Sequence, residues 1–310
     1  MKKLKYLLMA CCAACVWLAA CSDDDYEPLP DWWWEQTGEP AVYPEPEPVD
    51  NKVVAHRGCY AETGFPQNSV AGLKKAVEMK LFASECDIHL TKDGKVVVYH
   101  DDYYLGNTCF KDATYAELCA KGTLANGEKL PLLEEFIDVV LEAGTTRLWL
   151  DVKNITIDGK STEEGREASA RACERACEII EEMGAQNFCE FIVTGNATKI
   201  SSSSPVTIWQ RSLAAAGAVG SNAGWMSFRN PADYISYGYP WANLSTENLY
   251  FEGKTVNKNG YSVQKFLDAG LKLSVYNADL DVDMDYYLAY KDKLYAICTN
   301  YPRKLLGKWN

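Results

Sequence analysis

Glu85 and Asp87 lie two residues apart in the run Ala83-Ser84-Glu85-Cys86-Asp87-Ile88-His89. In an extended strand this spacing puts both carboxylates and His89 on one face and turns Cys86 and Ile88 to the other. Two carboxylates aimed at one point suit a hard divalent cation such as Mg²⁺ or Ca²⁺, which prefers oxygen ligands; a solvated strand face is the alternative reading. The chain has only three histidines. Two of them, His56 and His100, fall at the ends of apolar runs on either side of the carboxylate pair. They suit a general acid and a general base, because imidazole exchanges protons near neutral pH. Asp151 and Lys153 share a face at the end of a further run, Arg147–Val152, and Arg57 directly follows His56.

Holding these residues requires short strands that end together. Apolar runs rich in β-branched and aromatic residues occur at Val53–His56, Phe82–Ile88, Arg147–Val152, Phe188–Val193, Val206–Gln210, Tyr234–Tyr237, Lys272–Tyr276 and Tyr295–Thr299. Helical patterns separate most of them: Asn68 is placed to cap a helix running to Lys80, Pro131 starts one through Leu141, and Thr162 opens a long one through Met183. Eight such units in the 260 residues from 51 to 310 predict an α/β fold, a (β/α)8 barrel whose chemistry gathers at the C-terminal ends of its strands. A doubly wound open sheet would be expected to carry a glycine-rich phosphate loop, and no GxGxxG or GxxxxGK[ST] is present. Between Glu85 and His100 there is room only for a β-hairpin. With Asp93-Gly94 as a two-residue turn, residue 87 faces residue 100, which brings His100 beside the carboxylates.

Net charge is −12, and no basic block follows residue 5, which argues against nucleic-acid binding. Ten of the 43 acidic residues lie in residues 21–50, which contain no Lys or Arg and are rich in proline. This stretch is predicted to be a disordered tether. Before it, Lys2, Lys3 and Lys5 precede an apolar run, Leu7–Ala20, which is too short to cross a bilayer comfortably and is shaped like a signal peptide over residues 1–20. Leu18-Ala19-Ala20-Cys21 resembles a bacterial lipobox with Cys21 as the lipidated residue, and Ser22-Asp23-Asp24-Asp25 resembles the surface-export signal of Bacteroidetes lipoproteins. The expected location is therefore the bacterial cell envelope, with the membrane reached through a lipid anchor and the folded part a monomer. Trp32-Trp33-Trp34, within the tether, would dock on the domain or touch the membrane. Of the eight cysteines after Cys21, most are expected to be buried small hydrophobes, with Cys109 and Cys119 the pair to test for a disulfide.

His56-Arg57-Gly58, Pro66-Gln67-Asn68-Ser69, Glu85-Cys86-Asp87, Thr91-Lys92-Asp93-Gly94 and His100-Asp101 resemble, in order and spacing, the motifs of glycerophosphodiester phosphodiesterases. The resemblance is close over residues 53–153 and weak through the middle of the chain. It implies a barrel with a small insertion after the second strand, here about Asp101–Lys129. It also implies one divalent metal ion held by Glu85, Asp87 and Asp151, phosphate bound by Arg57 and Lys153, acid/base work by His56 and His100, and a glycerophosphodiester as small-molecule substrate. Three positions depart from the family pattern. Asp151 stands where Glu is usual, Gln67 replaces the Glu of a Pro-Glu-Asn motif, and Tyr276-Asn277 replaces a Trp-containing wall. Tyr276 and His89 are the residues expected to form a substrate wall. Two other functions compete with this reading. A phospholipase D-like activity on lipids would need an apolar apron, which Trp225, Met226, Phe228, Tyr237, Tyr239 and Trp241 would supply; a non-catalytic surface barrel would bind ligands only, although both histidines are intact.

Overall fold

A computed structural model describes residues 43–153, 155–157, 160–193, 213–217, 230–236, 241–249 and 262–309. The expected signal peptide, Cys21, Trp32–Trp34, the run Val206–Gln210 and every apron residue except Trp241 lie outside the described residues.

Among the described residues, eight parallel strands form the barrel. In chain order the strands are β1 (Val53–Ala55), β2 (Ala83–Leu90), β3 (Val96–Val98), β4 (Tyr103–Tyr104), β5 (Thr108–Cys109), β6 (Arg147–Val152), β7 (Thr156–Ile157), β8 (Lys160–Ser161), β9 (Cys189–Val193), β10 (Leu213–Gly217), β11 (Trp241–Ser245), β12 (Lys272–Tyr276) and β13 (Ala296–Thr299). The barrel runs β1-β2-β6-β9-β10-β11-β12-β13, and β1 closes it by pairing with both β13 (Val53↔Ile297) and β2 (Val54↔Ala83). Strand alternation separates two environments. Cys86, Ile88, Leu148, Leu150, Phe191, Leu273 and Val275 pack outward against helices, while Val54, Ala83, Trp149, Ile192, Trp241, Ala296 and Cys298 fill the interior.

The helices are α1 (Val70–Glu78), α2 (Tyr115–Lys121), α3 (Leu133–Ala143), α4 (Glu163–Met183), α5 (Pro231–Ser236), α6 (Val263–Asp268), α7 (Asp281–Leu288) and α8 (Pro302–Trp309). The α3 helix buries Leu133, Phe136, Ile137 and Val140, and each full burial contributes roughly 1.5–3 kcal/mol. Ser69, rather than Asn68, caps α1: its hydroxyl accepts from Gly72 N at 3.0 Å. Asn68 is held elsewhere, by the site described below. The strand expected at Tyr234–Tyr237 is also corrected, because Tyr234 and its neighbours belong to α5. Asn230 Oδ1 accepts from Ala232 N at 3.2 Å and Pro231 occupies the first turn, a helix start that outweighs the strand preference of the aromatics. The barrel strand of this unit is β11.

The hairpin register differs by one residue from the expected one. Ile88 pairs with Val98 and Leu90 with Val96, because the turn holds three residues rather than two. Thr91 N donates to Lys95 O at 2.9 Å, and Gly94 takes a left-handed φ of 76°, as in a type I turn closed by a glycine bulge. Val96 and Val98 consequently join the outer core. The insertion between β3 and α3 has a core of its own in Val97, Tyr104, Phe110, Ala113, Leu118 and Leu130.

Residues 43–50, expected to be the free end of a tether, run against the barrel. Glu47 N donates to Gly144 O at 2.7 Å, and Asn187 Nδ2 lies 3.3 Å from Pro44 O. Both partners sit in helix-to-strand connections, at the end of the barrel opposite the strand C-termini. Cys109 and Cys119 are free thiols, and seven of the eight described cysteines are buried.

Candidate active site

At the interior C-terminal end of the barrel, Glu85 stands two residues above Ala83 on β2 and Asp151 two above Trp149 on β6, with Asp87 one pleat further along β2. The register aligns Asp87 with Asp151 across the β2–β6 pair. Ligand atoms of Glu85, Asp87 and Asp151 all lie within 4.8 Å of one another. Below them Trp149 and Trp241 form an apolar floor, ring centroids 4.8 Å apart. Trp241 is thus a fully buried core residue and not part of an exposed apron.

The first loop is built around His56-Arg57-Gly58. His56 N donates to Thr299 O at 3.0 Å, continuing the β1–β13 ladder. Arg57 has a φ of 54°, and in this conformation its backbone N donates to Glu85 Oε2 at 2.8 Å. Gly58, at φ 78°, passes so close to α1 that a Cβ there would stand 3.0 Å from the Gly72 carbonyl carbon, a position only glycine fills without displacement. The Arg57 guanidinium donates to Gln67 Oε1 at 2.7 Å and lies 3.5 Å from Asp87. Asn68, at φ 56°, clasps Asp87 from two sides: its Nδ2 donates to Asp87 Oδ2 at 2.7 Å and its Oδ1 accepts from Asp87 N at 3.2 Å. Left-handed non-glycine residues cost energy and concentrate at functional sites.

Lys153 Nζ reaches Asp87 Oδ1 at 3.1 Å and Asp151 Oδ2 at 3.2 Å. Burial works against the Lys153 charge, but Asp151 and Asp87 more than offset it and raise its pKa. Burial also opposes ionisation of Asp87, yet Lys153 and Arg57 prevail and hold its carboxyl at about 2. Glu85 goes the other way. Burial, then the charges of Asp87 and Asp151, push it well above the usual carboxylate range, and Asp151 is raised chiefly by burial. Among the described residues, no donor reaches the buried Asp151 Oδ1. Three converging carboxylates, one of them with an unsatisfied oxygen, fit a hard divalent cation.

His56 Nδ1 lies 2.8 Å from Asn300 Oδ1, and its Nε2 is 3.9 Å from Glu85. Burial, reinforced by the Arg57 charge, lowers its pKa to about 4, so the ring is neutral at pH 7. His56, Arg57, Glu85, Asp151, Lys153 and Tyr276 line a cleft of about 190 Å³ in the barrel mouth. His100, with Nδ1 2.7 Å from Asp101 Oδ1, lines a neighbouring groove with Gln67, Tyr99, Leu105 and Leu124, and Arg57 borders both hollows. His89 is not brought to either. It is fully buried and stacked on Phe110 of the insertion, centroids 4.6 Å apart. Sequence reasoning missed Asn300 and Asp279, which hold His56, and Asn243 on the far wall; their positions at or near the C-terminal ends of barrel strands were the available signal.

The pattern of the Glycerophosphoryl diester phosphodiesterase family matches residues 56–304. A glycerophosphodiester phosphodiesterase of Bacillus altitudinis is 30% identical over 114 residues, 33% of this chain and 45% of that protein. The chain spans under half the length of the curated relatives it matches. Among solved structures, a glycerophosphodiester phosphodiesterase from Parabacteroides distasonis superposes with a TM-score of 0.63 at 23% identity, covering 83% of this chain and 96% of that one. An Oleispira antarctica phosphodiesterase in complex with the product sn-glycerol-3-phosphate superposes at 0.55 with 20% identity, covering 83% and 95%. At these identities the two superpositions show a shared fold.

Proposed function

The chain belongs to the glycerophosphoryl diester phosphodiesterase family, and on that footing we propose that it hydrolyses glycerophosphodiesters to sn-glycerol 3-phosphate and an alcohol. The observation that carries this reading is the position of Arg57, which borders a cleft holding His56 on one side and a groove holding His100 on the other. A phosphoryl group at Arg57 and Lys153 would have one histidine on each side, as displacement at phosphorus requires. Neutral His56 takes the proton of the attacking oxygen, which is water or a glycerol hydroxyl; in the second case the alcohol leaves behind a cyclic phosphate, and a water then opens that ring to give sn-glycerol 3-phosphate. His100, oriented by Asp101, delivers a proton to the departing alcohol in the groove. Arg57 and Lys153 meet the charge that grows on the phosphoryl oxygens. A divalent cation held by Glu85, Asp87 and Asp151 adds positive charge at the same place when bound.

The test is release of sn-glycerol 3-phosphate from glycerophosphocholine, glycerophosphoethanolamine and glycerophosphoinositol, with and without chelator. His56→Ala and His100→Ala should each lower turnover by roughly two to four orders of magnitude in folded protein. Wild-type protein that released no sn-glycerol 3-phosphate from any of the three with Mg²⁺ or Ca²⁺ present would end this proposal.

A further inference from the structure

The wall facing the carboxylates carries a polar residue that the chemistry above does not use. Strand β11 lies four strands from β2 in either direction around the barrel, by way of β1, β13 and β12 or of β6, β9 and β10. It is therefore diametrically opposite Glu85 and Asp87. Asn243 is on β11, two residues above the floor residue Trp241, nearly buried at 3% exposure, and it lines the barrel cleft. Its carboxamide is held by a short relay. Trp241 Nε1 donates to Ser274 Oγ at 2.9 Å, and Ser274 Oγ stands 2.6 Å from Asn243 Oδ1. The indole N–H donates to the serine oxygen, and the serine hydroxyl donates to Asn243 Oδ1. With its oxygen occupied, Asn243 is left with Nδ2, a pure donor, for the cleft.

Tyr276 and Asn277, which line the cleft beside Asn243, and Ile192 and Cys298, which line its flanks, bear no formal charge at neutral pH, whereas the cations Arg57 and Lys153 follow β1 and β6, the two strands that flank β2. A phosphoryl group is drawn to the cations, which leaves the neutral half of a ligand against Asn243. We infer that Asn243 is a specificity-determining residue, its Nδ2 donating to a hydroxyl of the glycerol half, so that the cleft selects a polyol phosphate over an alkyl phosphate. The inference rests on the proposed function and names the residue that recognises its substrate.

The test compares binding of two probes by titration calorimetry, sn-glycerol 3-phosphate and ethyl phosphate, which has the phosphate but no hydroxyl groups. Asn243→Ala should weaken sn-glycerol 3-phosphate by roughly 5- to 50-fold, the scale of one lost hydrogen bond in a closed site, while ethyl phosphate stays within about twofold. Ser274→Ala, which frees the amide to turn, should show a smaller loss of the same selectivity. Asn243→Leu, close to asparagine in volume, replaces the alanine variant if that one does not fold. Equal weakening of both probes, or of neither, overturns the inference and leaves the proposed function standing. Wild-type protein that binds sn-glycerol 3-phosphate no better than ethyl phosphate also overturns it, and wild-type protein that releases no sn-glycerol 3-phosphate from glycerophosphodiesters overturns both.

Discussion

Asn300 fixes the tautomer of His56. The Asn300 amide donates to Asp279 Oδ2 at 2.6 Å and its backbone N donates to Asp279 Oδ1 at 2.8 Å. A carboxylate accepts only, so Asn300 turns its oxygen toward His56, and His56 Nδ1 must carry the proton. The lone pair is then on Nε2, the nitrogen nearer Glu85.

Asn300→Ala should therefore lower kcat by at least about tenfold with KM nearly unchanged, because it frees the ring to adopt the wrong tautomer. Asp279→Asn should act in the same direction more weakly, since an amide at 279 permits either orientation of Asn300. Steady-state kinetics on glycerophosphocholine read both, and an unaltered kcat in Asn300→Ala would remove Asn300 from the positioning of His56.

Crowded carboxylates make the fold itself a reporter of cation binding. A cation bound only by folded protein stabilises by mass action, so Mg²⁺ or Ca²⁺ should raise the melting temperature in a concentration-dependent way and chelator should reverse the shift. Glu85→Gln and Asp151→Asn should flatten that response, even if relief of repulsion makes them more stable without the ion. A wild-type melting curve indifferent to both ions would argue against the cluster as a metal site.

The sequence was most legible where local chemistry decides structure. Thr162 caps α4 as expected, its hydroxyl accepting from Gly165 N, and β6 and β12 begin and end at the predicted residues. The hairpin failed by one residue because Asp-Gly serves both two-residue and three-residue turns, and the choice reverses the face of every side chain beyond it. His100 lies past the end of β3, so its place beside Arg57 comes from the loop and not from strand alternation. The β10 segment, Leu-Ala-Ala-Ala-Gly, has little strand propensity, and β11 turns Asn243 and Ser245 to buried positions, so neither shows an apolar alternation. Asn68 reads equally well as a helix cap, and only the fold reveals that Asp87 claims its side chain.

His89 should mark the pH dependence of stability. Burial holds its folded pKa at about 4 against an ordinary 6.5, outweighing the attraction of Asp102 and Asp87. As pH falls below 6.5 the unfolded chain takes up a proton that folded His89 refuses, so stability declines until about pH 4. The total for this residue is at most about 3 kcal/mol. His89→Gln should fall less in melting temperature between pH 7 and pH 5 than wild type, both measured with chelator present. Parallel curves for the two proteins would show that His89 is not the group responsible.

The route of residues 43–50 bears on anchoring. These residues reach the barrel beside Gly144 and Asn187, at the end opposite the mouth, which is where a tether from Cys21 would join the barrel. If Cys21 carries acyl chains, each buried methylene adds about 0.8 kcal/mol of membrane affinity, and more than one chain should hold the protein in the membrane fraction through salt washes. Cys21→Ser should then be recovered in the soluble fraction with kcat and KM on glycerophosphocholine within about twofold of wild type. A Cys21→Ser variant that stayed with the membrane would discard the lipid anchor and turn attention to Trp32–Trp34.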